Sequence, residues 1–247
     1  MNGIDVLILC GGRGTRLQSI VSDRPKPLAE INGRPFLDIL INYVEGFGFK
    51  RFILSVCHMA DSIENYYNKS KYPFEILFSH EINPLGTGGA VKKAEKLILS
   101  NPFLVMNGDS FCPVDMNQFV DFHNKKNAIL SMVVVESNYS TEFGEIILDD
   151  LQRIIRFEEK KRRNGKSFIN AGIYLFKKDI FSMIPPNTKY SLEYDLFPNL
   201  VRGEFYGFYT DEKLIDIGTP ERYEQAKRFF SNKHASSKYS LGREKKF

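Results

Sequence analysis

Gly11-Gly12-Arg13-Gly14-Thr15-Arg16-Leu17 and the Pro25-Lys26-Pro27 that follows carry the most specific chemistry of the chain. They come directly after the apolar run Val6 to Leu9, which reads as a strand. Glycine has no Cβ, so a glycine-rich turn leaving a strand lets backbone N–H groups close on phosphate oxygens. Arg13 and Arg16 add guanidinium forks that grip phosphates bidentately, and Lys26 adds a point charge on the far side of the loop. Fixed dipoles joined to mobile positive charge suit a triphosphate better than a neutral ligand.

Spacing excludes two commoner phosphate loops. The dinucleotide fingerprint needs a third glycine where Leu17 stands. Gly165-Lys166-Ser167 resembles the end of a P-loop, but Lys160 occupies the place of its first glycine and no clear strand leads into it. Two strand-end aspartates complete the set of reactive candidates. Asp109 follows Phe103-Leu104-Val105-Met106 through Asn107-Gly108, and Asp216 follows Leu214-Ile215.

The glycine loop with its Pro-Lys-Pro resembles the signature of the sugar-1-phosphate nucleotidylyltransferases, or NDP-sugar pyrophosphorylases. The resemblance continues at Leu85-Gly86-Thr87-Gly88-Gly89-Ala90, Asn107-Gly108-Asp109, Phe157-Glu158-Glu159-Lys160, Asn170-Ala171-Gly172 and Asp216-Ile217-Gly218-Thr219-Pro220, in chain order over most of residues 1–230. It implies attack of a sugar-1-phosphate oxygen on the α-phosphorus of a nucleoside triphosphate, with pyrophosphate leaving in line. Two anionic reactants must be aligned and neutralised, and no covalent nucleophile is needed.

By the same resemblance, Asp109 and Asp216 hold Mg²⁺, Arg13 stabilises the leaving pyrophosphate, and Lys26 touches the phosphates at the reaction centre. Leu9, Gly11, Gly12, Gly14, Thr15, Arg16, Gly86, Thr87, Gly88, Asn107 and Gly108 are assigned to the nucleotide. Gly144, Glu158, Asn170 and Gly172 are assigned to the sugar, and Lys160 to the sugar phosphate. Glu193 reads equally well as a surface helix residue or a ligand contact. The Leu85–Ala90 turn is similar to that of the manno-configured group. Single-domain chains of this length within it resemble the D-glycero-α-D-manno-heptose 1-phosphate guanylyltransferases, which implies GTP and the heptose phosphate. Mannose 1-phosphate or another hexose phosphate is the alternative within the family. A non-catalytic, nucleotide-sugar-binding regulatory subunit is the alternative outside it, against which stand the retained Asp109, Asp216, Arg13 and Lys26. A glycosyltransferase of related fold usually carries Asp-x-Asp and lacks the glycine loop.

At 247 residues with 43% apolar content, the chain suits one α/β domain over 1–230. No apolar run approaches the ~20 residues of a membrane span, and the first residues lack the pattern of a signal peptide, so a cytoplasmic protein is expected. Cys10, Cys57 and Cys112 show no metal or disulfide spacing. Five cations against Glu244 in residues 231–247 account for the whole formal charge of +4. This basic tail is expected to be disordered rather than a nucleic-acid arm. Neither nucleic acid nor membrane is expected as a partner; a homo-oligomer is compatible with the sequence, and capsule or surface-polysaccharide synthesis would follow from the favoured sugar.

These residues need a frame. Apolar runs at Val6 to Leu9, Phe52 to Val56, Ile76 to Phe78, Phe103 to Met106 and Ile129 to Val135 alternate with helical spacing over 36–47, 62–67, 88–99 and 116–126. They predict a single Rossmann-like domain, with a mainly parallel central sheet, helices on both faces and ligands at the C-terminal strand ends, and the resemblance implies its GT-A-type form. Shorter runs at 145–148, 153–157 and 168–176 predict a small antiparallel insertion along the open edge, which the resemblance makes the sugar-binding part. A helix over 193–201, a strand over 205–208 and a last helix over 220–230 close the chain.

Overall fold

The computed structural model describes residues 3–69, 71–137, 145–158 and 167–231. Gly144, Lys160 and residues 232–247 of the expected tail lie outside the described residues. The strands are β1 (Val6–Leu9), β2 (Glu30–Ile31), β3 (Arg34–Pro35), β4 (Arg51–Val56), β5 (Glu75–His80), β6 (Phe103–Asn107), β7 (Ser110–Phe111), β8 (Leu130–Ser137), β9 (Glu145–Leu148), β10 (Ile154–Glu158), β11 (Ser167–Phe176), β12 (Phe205–Thr210) and β13 (Ile215–Asp216). The helices are α1 (Phe36–Glu45), α2 (Ala60–Tyr67), α3 (Gly86–Lys93), α4 (Met116–Lys126), α5 (Phe197–Leu200) and α6 (Pro220–Ser231).

β1 lies between β4 and β6, and β5 extends from β4, all parallel. Their sequences read as unbroken apolar runs because both faces are covered. Val6 and Ile8 join a core with α1, α4 and α6, whereas Leu7 and Val105 join a second core with α3 and Phe197 of α5. This parallel half presents its strand ends to one edge, where a ligand cleft is expected.

β11 pairs antiparallel with β6 on one side and β8 on the other, and β12 runs parallel to β8. Its start also pairs with β9, which carries β10. The antiparallel strands after residue 140 therefore run into the sheet instead of only covering its edge. The register of β11 with β8 shifts between Asn170 and Tyr174. Gly172 sits in that bulge at φ 74°, a left-handed conformation that side-chain-bearing residues disfavour.

α4 shows how local signals fix an element. The Asp115 carboxylate accepts hydrogen bonds from the Asn117 and Gln118 amides, and Asn127 ends the helix at φ 49°. The helix buries His123, whose Nδ1 lies 2.9 Å from the Ser131 hydroxyl. Burial, helped by the Lys177 charge, pushes the His123 pKa down to about 4. The folded imidazole stays neutral while the unfolded one protonates near 6.5. The stability that this difference contributes is complete above pH 6.5 and is lost as pH falls toward 4, at up to ~1.4 kcal/mol per pH unit. Urea midpoints are expected to drop between pH 6.5 and 4.5, and His123→Phe to flatten that drop; an unchanged slope would refute the assignment.

Candidate functional site

β1 delivers the glycine loop to the C-terminal edge of the sheet. The Cys10 amide donates to Ser55 O of β4, which holds the strand end in register, and the Leu17 amide closes a turn onto Gly14 O. Cys10 itself is buried, and burial together with the nearby Asp109 carboxylate pushes its thiol far above the ordinary value. It is a packing residue rather than a nucleophile. Arg13, Thr15 and Arg16 stand exposed on the loop. Gly14 lies against the Lys26 stem at φ 60°, where a Cβ would come within 3.0 Å of Lys26 Cβ.

Pro25 and Pro27 hold Lys26 at the start of a single 3₁₀ turn, Lys26–Leu28. Its side chain is 11% exposed, and Nζ donates to Asp109 Oδ2 at 2.5 Å. Asp109 reaches this position because Gly108 turns the chain directly against β1: its amide donates to Leu9 O, and a Cβ there would lie 2.7 Å from the same oxygen. Burial pushes the Asp109 carboxyl up, but the Lys26 ammonium, the Ser110 hydroxyl and Arg16 together hold it below the usual value. Asp109 is therefore an anion at neutral pH.

The short β7–β13 ribbon brings the second acid alongside. It pairs Ser110 with Asp216, and the Ile217 amide donates to Asp109 O. Asp216 Oδ1 accepts from the Gly218 amide at 2.8 Å, and Arg222 Nη1 lies 3.2 Å from Oδ2. Gly218 marks the point of convergence. A Cβ on it would sit 2.8 Å from Asp216 Oδ1, 3.5 Å from an Arg16 guanidinium nitrogen and 3.8 Å from Lys26 Nζ. Among the described residues no group of three or more His, Cys, Asp and Glu gathers as a metal cage. Two hard carboxylates, Asp216 opposite Ser110 and Asp109 one residue before that serine, fit a divalent cation that keeps waters and takes its other ligands from phosphate oxygens.

A cleft of about 270 Å³ opens beside this pair. Of the residues singled out in the sequence, Leu9, Gly11, Gly12, Lys26, Gly86, Thr87, Asn107, Gly108 and Asp109 line it. Asp216 lines a neighbouring cavity with Ile169 and Arg222. The sequence reading missed Glu81, which also lines the cleft. Glu81 is buried just past the end of β5; Oε1 accepts from the Ser55 hydroxyl at 3.0 Å and Oε2 from the Leu85 amide at 2.7 Å. An acid directly after a strand run is the signal that found Asp109 and Asp216, and it would have found Glu81.

The Gly86–Gly89 turn is shaped by a distant segment. The Gly88 and Gly89 amides both donate to Tyr190 O, and a Cβ on Gly88 would lie 2.8 Å from the Tyr190 ring. These glycines let α3 dock on residues 188–192. Glu193 tightens the same contact by accepting from the Thr87 hydroxyl at 2.7 Å, while the Leu192 amide donates to that hydroxyl. Gly88 itself is not in the cleft lining.

On the side expected to take the sugar, Asn170 Oδ1 accepts from the Gly172 amide and Nδ2 donates to the Tyr174 hydroxyl, so the side chain pins the β11 bulge. A Cβ on Gly172 would lie 2.8 Å from Asn107 Nδ2, which joins the bulge to the cleft. Glu158 ends β10, half-buried.

A glycine loop with exposed arginines, a nearly buried lysine on the Asp109 carboxylate and a second acid opposite Ser110 form a centre for phosphates. Comparison with known families agrees: the nucleotidyl transferase family matches residues 5–233. The chain belongs to this family. As a nucleotidyl transferase it is 36% identical over 220 residues to D-glycero-α-D-manno-heptose 1-phosphate guanylyltransferase of Campylobacter jejuni, covering 89% of this chain and 97% of that one. The enzyme of the same name from Aneurinibacillus thermoaerophilus is 35% identical, covering 91% and 97%. The crystal structure of HddC from Yersinia pseudotuberculosis complexed with GMP-PN superposes with a TM-score of 0.81 at 38% identity, covering 92% and 99%. No helix of the described residues is long and apolar enough to cross a membrane.

Proposed function

We propose that the chain transfers GMP from GTP to D-glycero-α-D-manno-heptose 1-phosphate, giving GDP-heptose and pyrophosphate. A sugar-phosphate oxygen bonds to the α-phosphorus, and the bond from that phosphorus to the bridging oxygen of the β-phosphate breaks with its electrons leaving on pyrophosphate. The observation that carries the chemistry is the convergence of Arg16, Lys26 and Asp216 on Gly218, with Asp109 on Lys26. Lys26 aligns and neutralises phosphate oxygens, Arg13 meets the leaving pyrophosphate, and Lys160 takes the sugar phosphate. Asp109 and Asp216 would hold Mg²⁺, which supplies further positive charge to the phosphates when bound. Glu158 faces sugar hydroxyls.

Glu81 supports guanine as the base. The amides of Leu85, Gly88 and Gly89 are already engaged, and the Glu81 carboxylate lines the cleft beside Gly86 and Thr87. A carboxylate only accepts, and has lone pairs beyond the two used by Ser55 and Leu85. Guanine presents adjacent N1–H and N2–H donors, whereas uracil and thymine present one N–H between two carbonyls that a carboxylate repels. GDP-heptose is an activated donor of the kind that capsule or surface-polysaccharide synthesis consumes in the cytoplasm. Pyrophosphate release is the assay, with GTP, UTP, dTTP, CTP and ATP crossed against heptose, mannose and glucose 1-phosphates. Release with GTP and the heptose phosphate is expected, and Glu81→Gln should cut kcat/KM for GTP ~10–100-fold, as loss of a charged hydrogen-bond acceptor does. Preference for another base would overturn the guanine reading, and no release with any pair would identify a non-catalytic binding protein.

A further inference from the structure

Glu145 and Glu158 stand opposite each other as a direct β9–β10 pair. Side chains of directly paired residues project from one face, and like charges there repel. Glu145 is only 7% exposed, and its Oε2 accepts no hydrogen bond. A buried carboxylate oxygen without a donor destabilises the fold, so its retention calls for a group that arrives later.

The register shows where that group would lie. Ile146 and Phe157 turn to the core that holds α3. Phe168 of β11 pairs with Ile146, which places Ile169 opposite Glu145 on the other face. Ile169 belongs to the core of that other face and lines the cavity of Asp216 and Arg222. Glu145 thus stands beside Ile169, which lines the cavity of Asp216, and Glu158 faces Glu145 from β10.

We propose that Glu145 sets sugar specificity, its carboxylate accepting a hydrogen bond from a hydroxyl on the exocyclic carbons of the sugar 1-phosphate while Glu158 holds a ring hydroxyl. The inference rests on the heptose reading above. A carboxylate needs a donor, and the polyol arm of a sugar supplies neutral ones without adding charge beside Glu158. Direct cross-strand partners stand about 4.5–5.5 Å apart at Cβ, which matches the reach from a ring hydroxyl to one on a short side arm. A heptose carries one more hydroxylated carbon on that arm than mannose does, and Glu145 reads the difference.

The test uses the full chain with GTP and compares heptose and mannose 1-phosphates for wild type, Glu145→Gln and Glu145→Val. Glu145→Val should lower kcat/KM for the heptose phosphate ~10–100-fold, with Glu145→Gln between it and wild type, while turnover of mannose 1-phosphate stays within about twofold. The ligand-free melting temperature should stay level or rise, because an unsatisfied buried oxygen is removed. Equal losses on both sugars, an unchanged heptose preference, or a lower melting temperature with selectivity intact would each overturn the assignment. A wild type that prefers the mannose phosphate would overturn the heptose reading itself, and is told apart because it shows in the unmutated chain.

Discussion

Lys26→Ala is expected to leave a folded protein whose turnover is down ~10²–10³-fold, the usual cost of losing one well-aimed electrostatic donor. The side chain is prepared for that work. Prolines on both sides fix its backbone, Gly14 packs on its stem, and Asp109 holds its ammonium at the edge of the cleft. Little reorganisation remains when phosphates arrive, which is what makes such a charge effective. Lys26 is also the largest influence holding the Asp109 carboxyl below its ordinary value against burial. Removing it should therefore raise the Asp109 pKa, so that Asp109 loses its negative charge at a higher pH. The acid limb of the pH–rate profile should move up in the variant. Thermal melting checks the fold, and steady-state rates from pH 5 to 9 check both effects. Wild-type turnover would remove Lys26 from the site, and a rate loss without a shifted acid limb would separate Lys26 from Asp109.

Lys26 was readable because its signal is local: a cation fixed between two prolines a few residues from a glycine loop. The same holds for α4, where Asp115 and Asn127 announce both ends, and for the β1 run ahead of the loop. Asp109 and Asp216 stood out as acids at strand ends. What could not be read locally was pairing between distant segments. Nothing near Gly88 in sequence says that its amide donates to Tyr190 O, a contact across about a hundred residues. The antiparallel runs after residue 140 were visible, yet the place of β11 between β6 and β8 depends on pairing that no local period encodes. The two-residue strands β2 and β3 were also missed, being too short for any periodicity. Glu81 was missed for a different reason. Its strand-end position was visible, but its weight comes from the parallel β4–β5 pairing that sets Ser55 and Glu81 at one edge.

Asp216→Asn is expected to reduce turnover ~10²–10³-fold and to raise the Mg²⁺ concentration needed for half-maximal rate, since a neutral amide oxygen is a poor ligand for a hard dication. The substitution is nearly isosteric, and Oδ1 can still accept from the Gly218 amide that it now holds at 2.8 Å. The turn should therefore survive. Its charge is what disappears, and with it the balance against Arg222 and the second acid beside Asp109, across the ribbon from Ser110. This separates two roles that the geometry combines. If Asp216 served only to cap the Gly218 turn and anchor Arg222, the amide would preserve the first contact and cost mainly stability, leaving the Mg²⁺ titration where it was. If it holds the cation, the titration moves while the melting temperature changes little. A parallel Arg222→Gln variant completes the comparison: it frees Asp216 of its fixed counter-charge without touching the acid, so Mg²⁺ affinity should hold or tighten. An Asp216→Asn variant with wild-type rates and metal dependence would leave Asp109 as the only carboxylate in the metal site.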